Sequence, residues 1–507
     1  MTSVFDQGSA APCPSTFNMA AYVLAHAAKH PDKTALSVLH KDHTTDWTFA
    51  QINAAVRGIA QGFLEAGLQP GQRILLRLGN RPEYPLAYLA AIAVDLIPIP
   101  TSPQLTEKET QFIIDDLAPE AILHEDGVAC PPHSKRIDIQ DLTAMMLLPG
   151  AEFTFGPPDR AAYIVYTSGT SGKPRAVLHA HRAIWARRMM HDGWYGLHHA
   201  DRMLHAGAFN WTYTMGTGLM DPWSVGATAL IPSPNTAPDV LPGLMARHNA
   251  TLFAAAPGVY RKFLKDDQKL NAPALRHGLS AGEKMSPAIQ QAWTDASGTR
   301  VLEAYGLSEC STFISAAPKM DIPKGATGRP QHGRKIALLD AHGMPVPIGT
   351  AGTIAVHKSD PGLMIGYVNA ATETAQRFSG DWFVTGDQAQ MDAAGYITYL
   401  GRNDDMMNAG GFRVSPLEVE ASLNAFPGIE AIAVTDVEVK PDLRVIMAFY
   451  TGPKTLDHKT FTAFASDRLA AYKVPRDFIH VAHLPTGANG KLARAQLQRL
   501  WRPHDQT

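Results

Sequence analysis

Residues 161–174 read AAYIVYTSGTSGKP, an apolar run typical of a strand that leads directly into hydroxyl residues, two glycines and a lysine. Glycines let a bound group approach the backbone closely and expose N–H donors. The hydroxyls add donors and Lys173 adds positive charge, so the stretch predicts a loop that binds a polyphosphate. It is not a Walker loop, because only two residues separate its glycines and Pro174 follows the lysine. Taken alone, the stretch leaves a solvated Ser/Thr/Gly turn as the alternative.

Outward from this loop, the chain changes its pattern twice. From residue 20 to about 255, helical stretches alternate with short apolar strands such as RILLRL and ATALIP, which predicts βαβ units and parallel sheet. A helix is expected over AAYVLAHAAKH, and a glycine-rich one over 215–220. After Gly325, short strands separated by Gly, Pro and Asp predict antiparallel sheet. Beyond GRNDD at 401–405, the chain has a separate α+β pattern. Residues 415–418 predict a capping box at the start of a helix that runs to about 425.

The composition excludes several classes of protein. The 507 residues carry 45 Lys and Arg against 47 Asp and Glu, and this net charge of −2 argues against a nucleic-acid partner. Three cysteines lie far apart in the sequence, which argues against a disulfide framework. No basic stretch precedes an apolar run at the N-terminus, so a secretory signal is not expected. The longest apolar candidate for a membrane span, Leu86–Val94, has nine residues, whereas a span needs about 20. A cytoplasmic protein without a membrane partner is expected.

The loop YTSGTSGKP resembles the phosphate loop of the adenylate-forming superfamily, which includes acyl-CoA and aryl-CoA synthetases, luciferases and peptide-synthetase adenylation domains. Further motifs follow in the order of that family: YGLSE at 305–309, TGD at 385–387, GRNDD at 401–405, GFR at 411–413 and NGK at 489–491. SAGE at 280–283 resembles the segment of the benzoate-CoA ligase and medium-chain acyl-CoA synthetase branch. Six ordered matches after residue 165 make coincidence a poor explanation.

The resemblance implies the fold and its division. It implies an α/β fold with a large N-terminal domain, residues 1–402, built of αβαβα-type sheets plus a distorted β-barrel. A small mobile α+β C-terminal domain, residues 403–507, would turn about a hinge at Asp404 and carry the catalytic lysine.

The resemblance also implies a role for each motif. Catalytic roles fall to Lys491, Ser308 and Glu309, and Glu309 would also bind Mg²⁺, which prefers hard oxygen ligands. The residues implied to bind ATP or AMP are Thr167, Ser168, Gly169, Thr170, Ser171, Gly172, Lys173, Ala281, Gly282, Glu283, Tyr305, Gly306, Asp387, Arg402 and Arg413. The implied acyl pocket is Phe209, Asn210, Trp211, Thr212 and Ala281, and the implied CoA channel passes Gly410 and Gly411.

Local chemistry agrees with these roles but leaves alternatives open. Tyr305 offers a ring for adenine, and Asp387 can accept hydrogen bonds from both ribose hydroxyls, beside a donor in Arg402. Lys491 would neutralise charge as a carboxylate meets the ATP α-phosphate. In isolation, YGLSE is a strand-end turn, Lys491 an ordinary surface lysine, and the aromatics Phe209 and Trp211 are core packing.

The implied activity is that of an AMP-forming ligase. It activates an aryl or short- to medium-chain carboxylic acid with ATP, releases pyrophosphate and transfers the acyl group to coenzyme A, as a monomer or homodimer. Two alternatives stay open: an adenylating enzyme that loads a carrier protein, and a catalytically inactive nucleotide-binding homologue. The second is motivated by departures from the family pattern, Arg175-Ala176 in place of Lys-Gly and Ser308 in place of Thr.

Overall fold

A nine-stranded sheet, the central sheet, organises the N-terminal part of the chain in the computed structural model. The structure describes residues 1–167, 175–234, 236–264, 269–403, 405–409, 412–440, 443–469, 471–487 and 492–501. The strands of the central sheet are, in spatial order, Arg329–Pro330, Ser311–Ser315, Val301–Leu307, His277–Ala281, Leu252–Ala255, Arg202–His205, Thr228–Pro232, Thr34–Leu39 and Thr44–Thr48. The six strands from Val301–Leu307 to Thr34–Leu39 run parallel, and antiparallel strands flank them at both edges. Continuous apolar strands such as Thr228–Pro232 are buried throughout, as parallel strands covered on both faces require.

Three further sheets complete the part of the chain before residue 403. A four-stranded parallel sheet consists of Ile97–Pro100, Arg73–Arg77, Ala121–His124 and Arg136–Asp138. A three-stranded antiparallel sheet consists of Gly366–Tyr367, Arg175–Ala180 and Ala161–Thr167. A six-stranded antiparallel sheet consists of Val4–Asp6, Lys335–Leu339, Ala351–His357, Trp382–Met391, Phe378–Ser379 and Ile397–Arg402, and it stands where the distorted barrel is expected.

Helices cover these sheets with apolar faces. In Phe49–Glu65 the buried residues Ile52, Val56, Ile59 and Phe63 recur at helical spacing, and Thr48 and Gln51 form a reciprocal capping box at its start. The other α-helices are Met19–Val23, Glu83–Ala93, Glu107–Leu117, Ile139–Met145, Ala183–Ala186, Arg188–Met190, Asp221–Ser224, Leu241–Arg247, Pro257–Phe263, Pro287–Ser297, Ala371–Gln376, Pro416–Leu423, His458–Arg468 and Arg494–Leu497. Short 3₁₀ helices are Ala25–Ala27, Pro238–Val240, Ala471–Lys473 and Gln498–Leu500, and π-helical segments are His191–Tyr195 and Thr214–Met220.

The chain after residue 406 has its own core. Strands Ala431–Lys440, Leu443–Thr451 and Asp477–His480 form one sheet, and Met407–Ala409 pairs with Phe412–Val414. Hydrophobic clusters that include Met407, Phe461, Phe478 and Leu497 are made by this part of the chain alone. The mixed α/β fold with a large N-terminal unit and a smaller C-terminal one is therefore confirmed.

Three local predictions need correction. The helix expected over AAYVLAHAAKH divides into Met19–Val23 and Ala25–Ala27, because the helix turns at Leu24 into a tighter 3₁₀ segment. The glycine-rich helix is π-helical over Thr214–Met220. At the helix Pro416–Leu423, Ser415 does accept from the Glu418 N–H at 3.4 Å, but the Glu418 carboxylate pairs with Lys473 at 2.5 Å, so a tertiary ion pair replaces the second half of the capping box.

Candidate active site

A cavity of about 690 Å³ opens at the carboxyl ends of two parallel strands, His277–Ala281 and Val301–Leu307. Parallel sheets place ligands at this edge, because the loops that follow the strands meet there. The opposite wall comes from Trp382–Met391, Ile397–Arg402 and the helix Ala371–Gln376. The described lining residues are Arg175, Gly282, Glu283, Lys284, Glu303, Ala304, Tyr305, Gly306, Leu307, Ser308, Glu309, Thr327, Tyr367, Glu373, Gln376, Arg377, Thr385, Asp387, Tyr399 and Arg402.

Two tyrosines hold the Asp387 carboxylate in this cavity. Tyr305 Oη donates to Asp387 Oδ2 at 2.6 Å, and Tyr399 Oη donates to Oδ1 at 3.2 Å. Burial raises the pKa of both phenols, so they stay protonated donors at neutral pH. Arg402 lies directly opposite Asp387 on the neighbouring strand. A carboxylate accepts about four hydrogen bonds, and the hydroxyls of a sugar are donors of the kind that such a group binds.

Ser308 and Glu309 sit in a three-residue loop between the antiparallel strands Val301–Leu307 and Ser311–Ser315. The Glu309 carboxylate accepts from Tyr367 Oη at 2.6 Å, and its carbonyl accepts from the Met364 N–H at 2.7 Å. His179 Nε2 donates to the Ser308 carbonyl at 2.7 Å. Burial lowers the pKa of His179 to about 4, so the imidazole is neutral and donates from Nε2. The loop is thus held by His179 and Tyr367 from two paired strands and by the Met364 backbone N–H.

The donor set around Glu309 fits Mg²⁺. Within the described ranges there is no group of three or more His, Cys, Asp or Glu side chains that could hold a metal ion. Mg²⁺ is commonly held by one or two carboxylates and completes its shell with water and substrate phosphates. A single carboxylate at the wall of a nucleotide-sized cavity is therefore compatible with this ion.

The SAGE segment forms the wall beside the loop. Gly282 has φ +95°, a conformation that favours glycine, and it turns the chain out of the strand His277–Ala281. Gly282 and Glu283 line the cavity, and Ala281 is buried just beneath. The buried Glu303 carboxylate accepts from the Met285 N–H and from Gln290 Nε2, each at 2.7 Å, and burial raises the pKa of Glu303.

The predicted acyl segment lies outside the described lining of this cavity. Phe209 is fully buried in the large hydrophobic cluster, and its N–H donates to Asn80 Oδ1 at 2.7 Å. Trp211 is 36% exposed, Thr212 is exposed and Asn210 is half-buried. The assignment of these four residues to an acyl pocket stays a prediction.

Two buried polar atoms next to this segment have no hydrogen-bond partner within the described part of the chain. Among the residues that the structure describes, none bonds His205 Nε2 or Tyr213 Oη, and both atoms are buried. The two rings lie 4.5 Å apart, and Trp211 lies edge-on to both, at 6.2 Å from His205 and 5.2 Å from Tyr213. Buried polar atoms are normally hydrogen-bonded, so the pair is compatible with a polar group of a ligand.

Sequence motifs missed several cavity residues. Arg175 forms an ion pair with Glu373 at 2.5 Å, and Tyr367, Arg377 and Tyr399 approach from strands or turns without a motif of their own. For Arg175 a sequence clue existed, since it replaces the usual Lys directly after the phosphate loop.

Other predicted residues fall outside what the structure describes. They are Ser168, Gly169, Thr170, Ser171, Gly172 and Lys173 of the loop, Asp404, Gly410, Gly411 and Lys491. For Thr167 and Arg413 the backbone is described and the side chain is not.

The chain is similar to named CoA ligases in sequence and in structure. The mitochondrial acyl-coenzyme A synthetase ACSM3 of Pongo abelii is 27% identical over 96% of this chain and 90% of its own length. A benzoate–CoA ligase of Thauera aromatica is 28% identical over 85% of this chain and 86% of its own length. The crystal structure of the anthranilate CoA ligase AuaEII in complex with anthranoyl-AMP superimposes with a TM-score of 0.86, at 26% identity, over 96% of this chain and 98% of that one.

No helix among the described residues has the length and apolar character to cross a bilayer.

The family assignment rests on two matched regions. Residues 23–368 match the AMP-binding enzyme family, and residues 418–491 match the AMP-binding enzyme C-terminal domain. The first match covers more than half of the chain, and the chain therefore belongs to the AMP-binding enzyme family.

Proposed function

We propose that this protein is an AMP-forming carboxylate–CoA ligase. The observation that carries the proposal is the meeting at one cavity of residues from four separate motifs: Gly282, Glu309, Asp387 and Arg402. Relatives named as acyl-CoA synthetase, benzoate–CoA ligase and anthranilate CoA ligase support a carboxylic acid as substrate and coenzyme A as acceptor.

Two chemical steps follow from this assignment. A carboxylate oxygen of the acid attacks the α-phosphorus of ATP, the bond to the β-phosphate bridging oxygen breaks, and pyrophosphate leaves. The thiol sulfur of coenzyme A then attacks the acyl carbon of the adenylate, its proton is lost, and AMP leaves.

The chain's own residues bind and orient these groups. Asp387 and Arg402 are assigned to the ribose, Tyr305 to the adenine, and Ser308 to the α-phosphate. Glu309 would hold Mg²⁺, which neutralises phosphate charge when it is bound. Thr167 and the loop 168–173 are assigned to the phosphates, and Ala281, Gly282, Glu283, Gly306 and Arg413 complete the nucleotide site.

The division of the chain is part of the proposal. We assign residues 1–402 to the nucleotide-binding domain and residues 403–507 to a small mobile domain, which the separate hydrophobic clusters after residue 406 support. Asp404 is the proposed hinge, and Gly410 and Gly411 the proposed passage for the pantetheine arm. We further propose a cytoplasmic monomer or homodimer with no nucleic-acid or membrane partner.

A pyrophosphate-release screen tests the activity. Benzoates, aryl-alkanoates and aliphatic acids are each supplied with Mg·ATP, with and without coenzyme A. A ligase gives acid-dependent pyrophosphate and an acyl-CoA product. Pyrophosphate that is indifferent to coenzyme A would point to a carrier-loading enzyme, and binding of ATP without turnover on any acid would identify an inactive homologue.

The unpartnered His205 and Tyr213 atoms sharpen the choice of acids. Because a site with buried polar groups discriminates against ligands that leave them unpaired, we expect hydroxy- or amino-substituted acids to react faster than the unsubstituted parent. Tyr213→Phe removes only the hydroxyl and should reduce this preference. An equal preference in both proteins would exclude Tyr213 as the recognising group.

The role proposed for Lys491 has its own test. Lys491→Ala should abolish pyrophosphate release, because no cation then offsets the charge that builds between carboxylate and α-phosphate. The same variant should still form acyl-CoA from a supplied acyl-adenylate, as measured by chromatography. Equal loss in both assays would contradict the assignment.

A further inference from the structure

The loop that carries Glu309 is followed by a residue in an unusual backbone conformation. Cys310 N–H donates to the Leu307 carbonyl at 3.1 Å, which closes a turn over the loop, and Ser311, the first residue of the next strand, has φ +62°. This is the left-handed region, where glycine is favoured. A side chain in this conformation persists only where its surroundings hold it.

Ser311 is held from two sides. Its hydroxyl accepts a hydrogen bond from Arg187 Nη1. On the other side its carbonyl oxygen packs against Gly306, where an added Cβ would lie only 2.0 Å away. The path of the chain from Gly306 to Ser311 therefore depends on these two contacts of Ser311. The placement of Glu309 depends on them in turn.

The guanidinium that reaches Ser311 is itself immobilised. Arg187 Nε donates to Asp221 Oδ1 at 2.8 Å and Nη2 donates to Oδ2 at 2.5 Å, a bidentate pair. Tyr195 Oη also donates to Asp221 Oδ2, at 2.7 Å, and the Asp221 side chain is fully buried. Burial alone disfavours the charge on Arg187, but Asp221 outweighs it and the pKa of Arg187 is raised above its usual value.

The same guanidinium contacts the segment that follows the predicted acyl pocket. Arg187 Nη2 donates to Thr217 Oγ1 at 3.4 Å, within the π-helical segment Thr214–Met220. An added Cβ on Gly216 would lie 2.5 Å from Arg187 Nη2, so this segment packs directly on the charged group. One side chain thus joins the hairpin of Glu309 to the segment next to Trp211.

We propose that Arg187 is a positioning residue that fixes the Glu309 hairpin through Ser311 and ties it to the segment Thr214–Met220. This rests on the proposed function only in the role of Glu309 toward Mg·ATP. The sequence offers no motif for it, since Thr217, Asp221 and Ser311 lie 30, 34 and 124 residues from Arg187 along the chain.

The link is best tested at Ser311. Replacing Arg187 would leave Asp221 buried and unpaired, which destabilises folding by itself. Ser311→Gly instead adopts φ +62° without strain and removes the CH2OH side chain that accepts from Arg187. Ser311→Asn, which tolerates the left-handed region and offers an amide oxygen, serves as the rescue variant.

Calorimetric titration supplies a readout that does not require turnover. In Ser311→Gly we expect Mg·ATP to bind about 10-fold more weakly. The affinity for metal-free ATP, measured in the presence of EDTA, and the melting temperature should change little. Ser311→Asn should recover most of the loss. The control is Asn249→Gly, which makes the same kind of exchange at another left-handed residue, φ +49°, on the exposed surface, and it should leave both titrations unchanged.

The outcomes separate this proposal from the proposed function. Unchanged Mg·ATP binding in Ser311→Gly, or equal weakening with and without Mg²⁺, would overturn the role of Arg187. Failure of wild-type protein to release pyrophosphate with any acid would instead overturn the ligase assignment, and the titration would still report on the hairpin.

Discussion

At the scale of single residues, Asp387 has the most informative surroundings. Its carboxylate accepts from two buried phenols, Tyr305 and Tyr399, before any ligand arrives. This arrangement fixes both oxygens in place at the wall of the cavity. The geometry therefore favours a carboxylate that is oriented in advance for the donors of a bound nucleotide.

Replacing this carboxylate should weaken nucleotide binding. Asp387→Asn exchanges an acceptor for a donor and removes the charge, and hydrogen bonds to charged groups contribute about 1.5–3 kcal/mol. We expect the KM for ATP to rise about 10-fold or more, measured by pyrophosphate release at saturating acid.

Tyr399→Phe is the matched control, because it removes one phenol and keeps the carboxylate. The KM for ATP should change far less in this variant. Equal effects of the two substitutions would mean that the network as a whole, and not the carboxylate, determines affinity.

Residues within motifs were predictable, and residues between motifs were not. Tyr305, Glu309 and Asp387 were expected from their motifs and do line one cavity. Tyr367 and Arg377 reach the same cavity through the pairing of distant strands and turns, which no local pattern encodes. The orientation of Asp387 by Tyr399 depends likewise on a strand register that includes an irregularity between Gln388 and Ala389.

At the scale of secondary-structure elements, side chains at element ends hold the N-terminal layers together. Asn18 caps the helix Met19–Val23 by accepting from Ala21 N–H at 3.1 Å. Its amide nitrogen also donates to the carbonyls of Ile92 and Ala93, each at 3.2 Å, and of Thr154 at 2.8 Å. One buried amide thus joins a helix start, the end of a second helix and a loop.

Loss of this amide should destabilise the protein without touching catalysis. Asn18→Ala removes the capping partner of the Ala21 N–H and one of the two donors to each of the three carbonyls, which keep Asp95 N–H, Thr154 N–H and Arg160 Nη2. We expect the free energy of unfolding to fall by about 2 kcal/mol. Urea denaturation followed by fluorescence measures the loss. Thr48→Ala, which removes an exposed cap from the helix Phe49–Glu65, should cost only about 1 kcal/mol.

The pattern of helices and strands was predictable where it was periodic. In Phe49–Glu65 apolar residues recur at helical spacing and Gly67 follows the helix, so its sequence indicates a helix. The prediction of an ordinary glycine-rich helix over 215–220 is wrong, because the π-helical form of Thr214–Met220 depends on tertiary contacts. There, glycines let Arg187 and His205 pack against the backbone, with distances of 2.5 and 2.8 Å to the positions of an added Cβ.

At the scale of the whole molecule, buried neutral histidines make folding dependent on pH. Burial lowers the pKa of His179 and His277 to about 4 and that of His205 to about 3. The unfolded chain takes up these protons near pH 6.5 and the folded chain only at lower pH. The contribution of these histidines to the free energy of unfolding is therefore complete above about pH 6.5 and is lost as the pH falls toward 4.

We expect each of these histidines to contribute about 3 kcal/mol to the loss. The measurement is the free energy of unfolding from urea titrations between pH 7.5 and 4.5. His277→Gln keeps a donor for the Tyr195 carbonyl, which His277 Nε2 contacts at 2.8 Å, and it should flatten the curve. Glu303 acts in the opposite direction, because burial raises its pKa. The contribution of His277 is therefore measured as the difference between the pH curves of wild type and His277→Gln. Parallel curves for the two proteins would contradict the assignment.

The overall architecture was predictable to the level of domains and sheet types. The change to strand-like patterns after Gly325 predicted antiparallel sheet, and the separate α+β pattern beyond 401–405, with the order of the motifs, predicted a small C-terminal unit. The antiparallel edge Ser311–Ser315, which turns the central sheet back beside the cavity, was not predictable, because it depends on the Ser311 conformation and on Arg187.

The position of the cavity lining along the chain has a consequence for how such enzymes diversify. All described lining residues fall between Arg175 and Arg402, so one continuous stretch of coding sequence specifies them. Recombination that exchanged the last hundred codons would leave this described lining intact and would replace the part of the chain that carries Arg413 and Lys491. A gene assembled in this way would inherit the described cavity lining from one parent and the residues proposed to complete the site from the other.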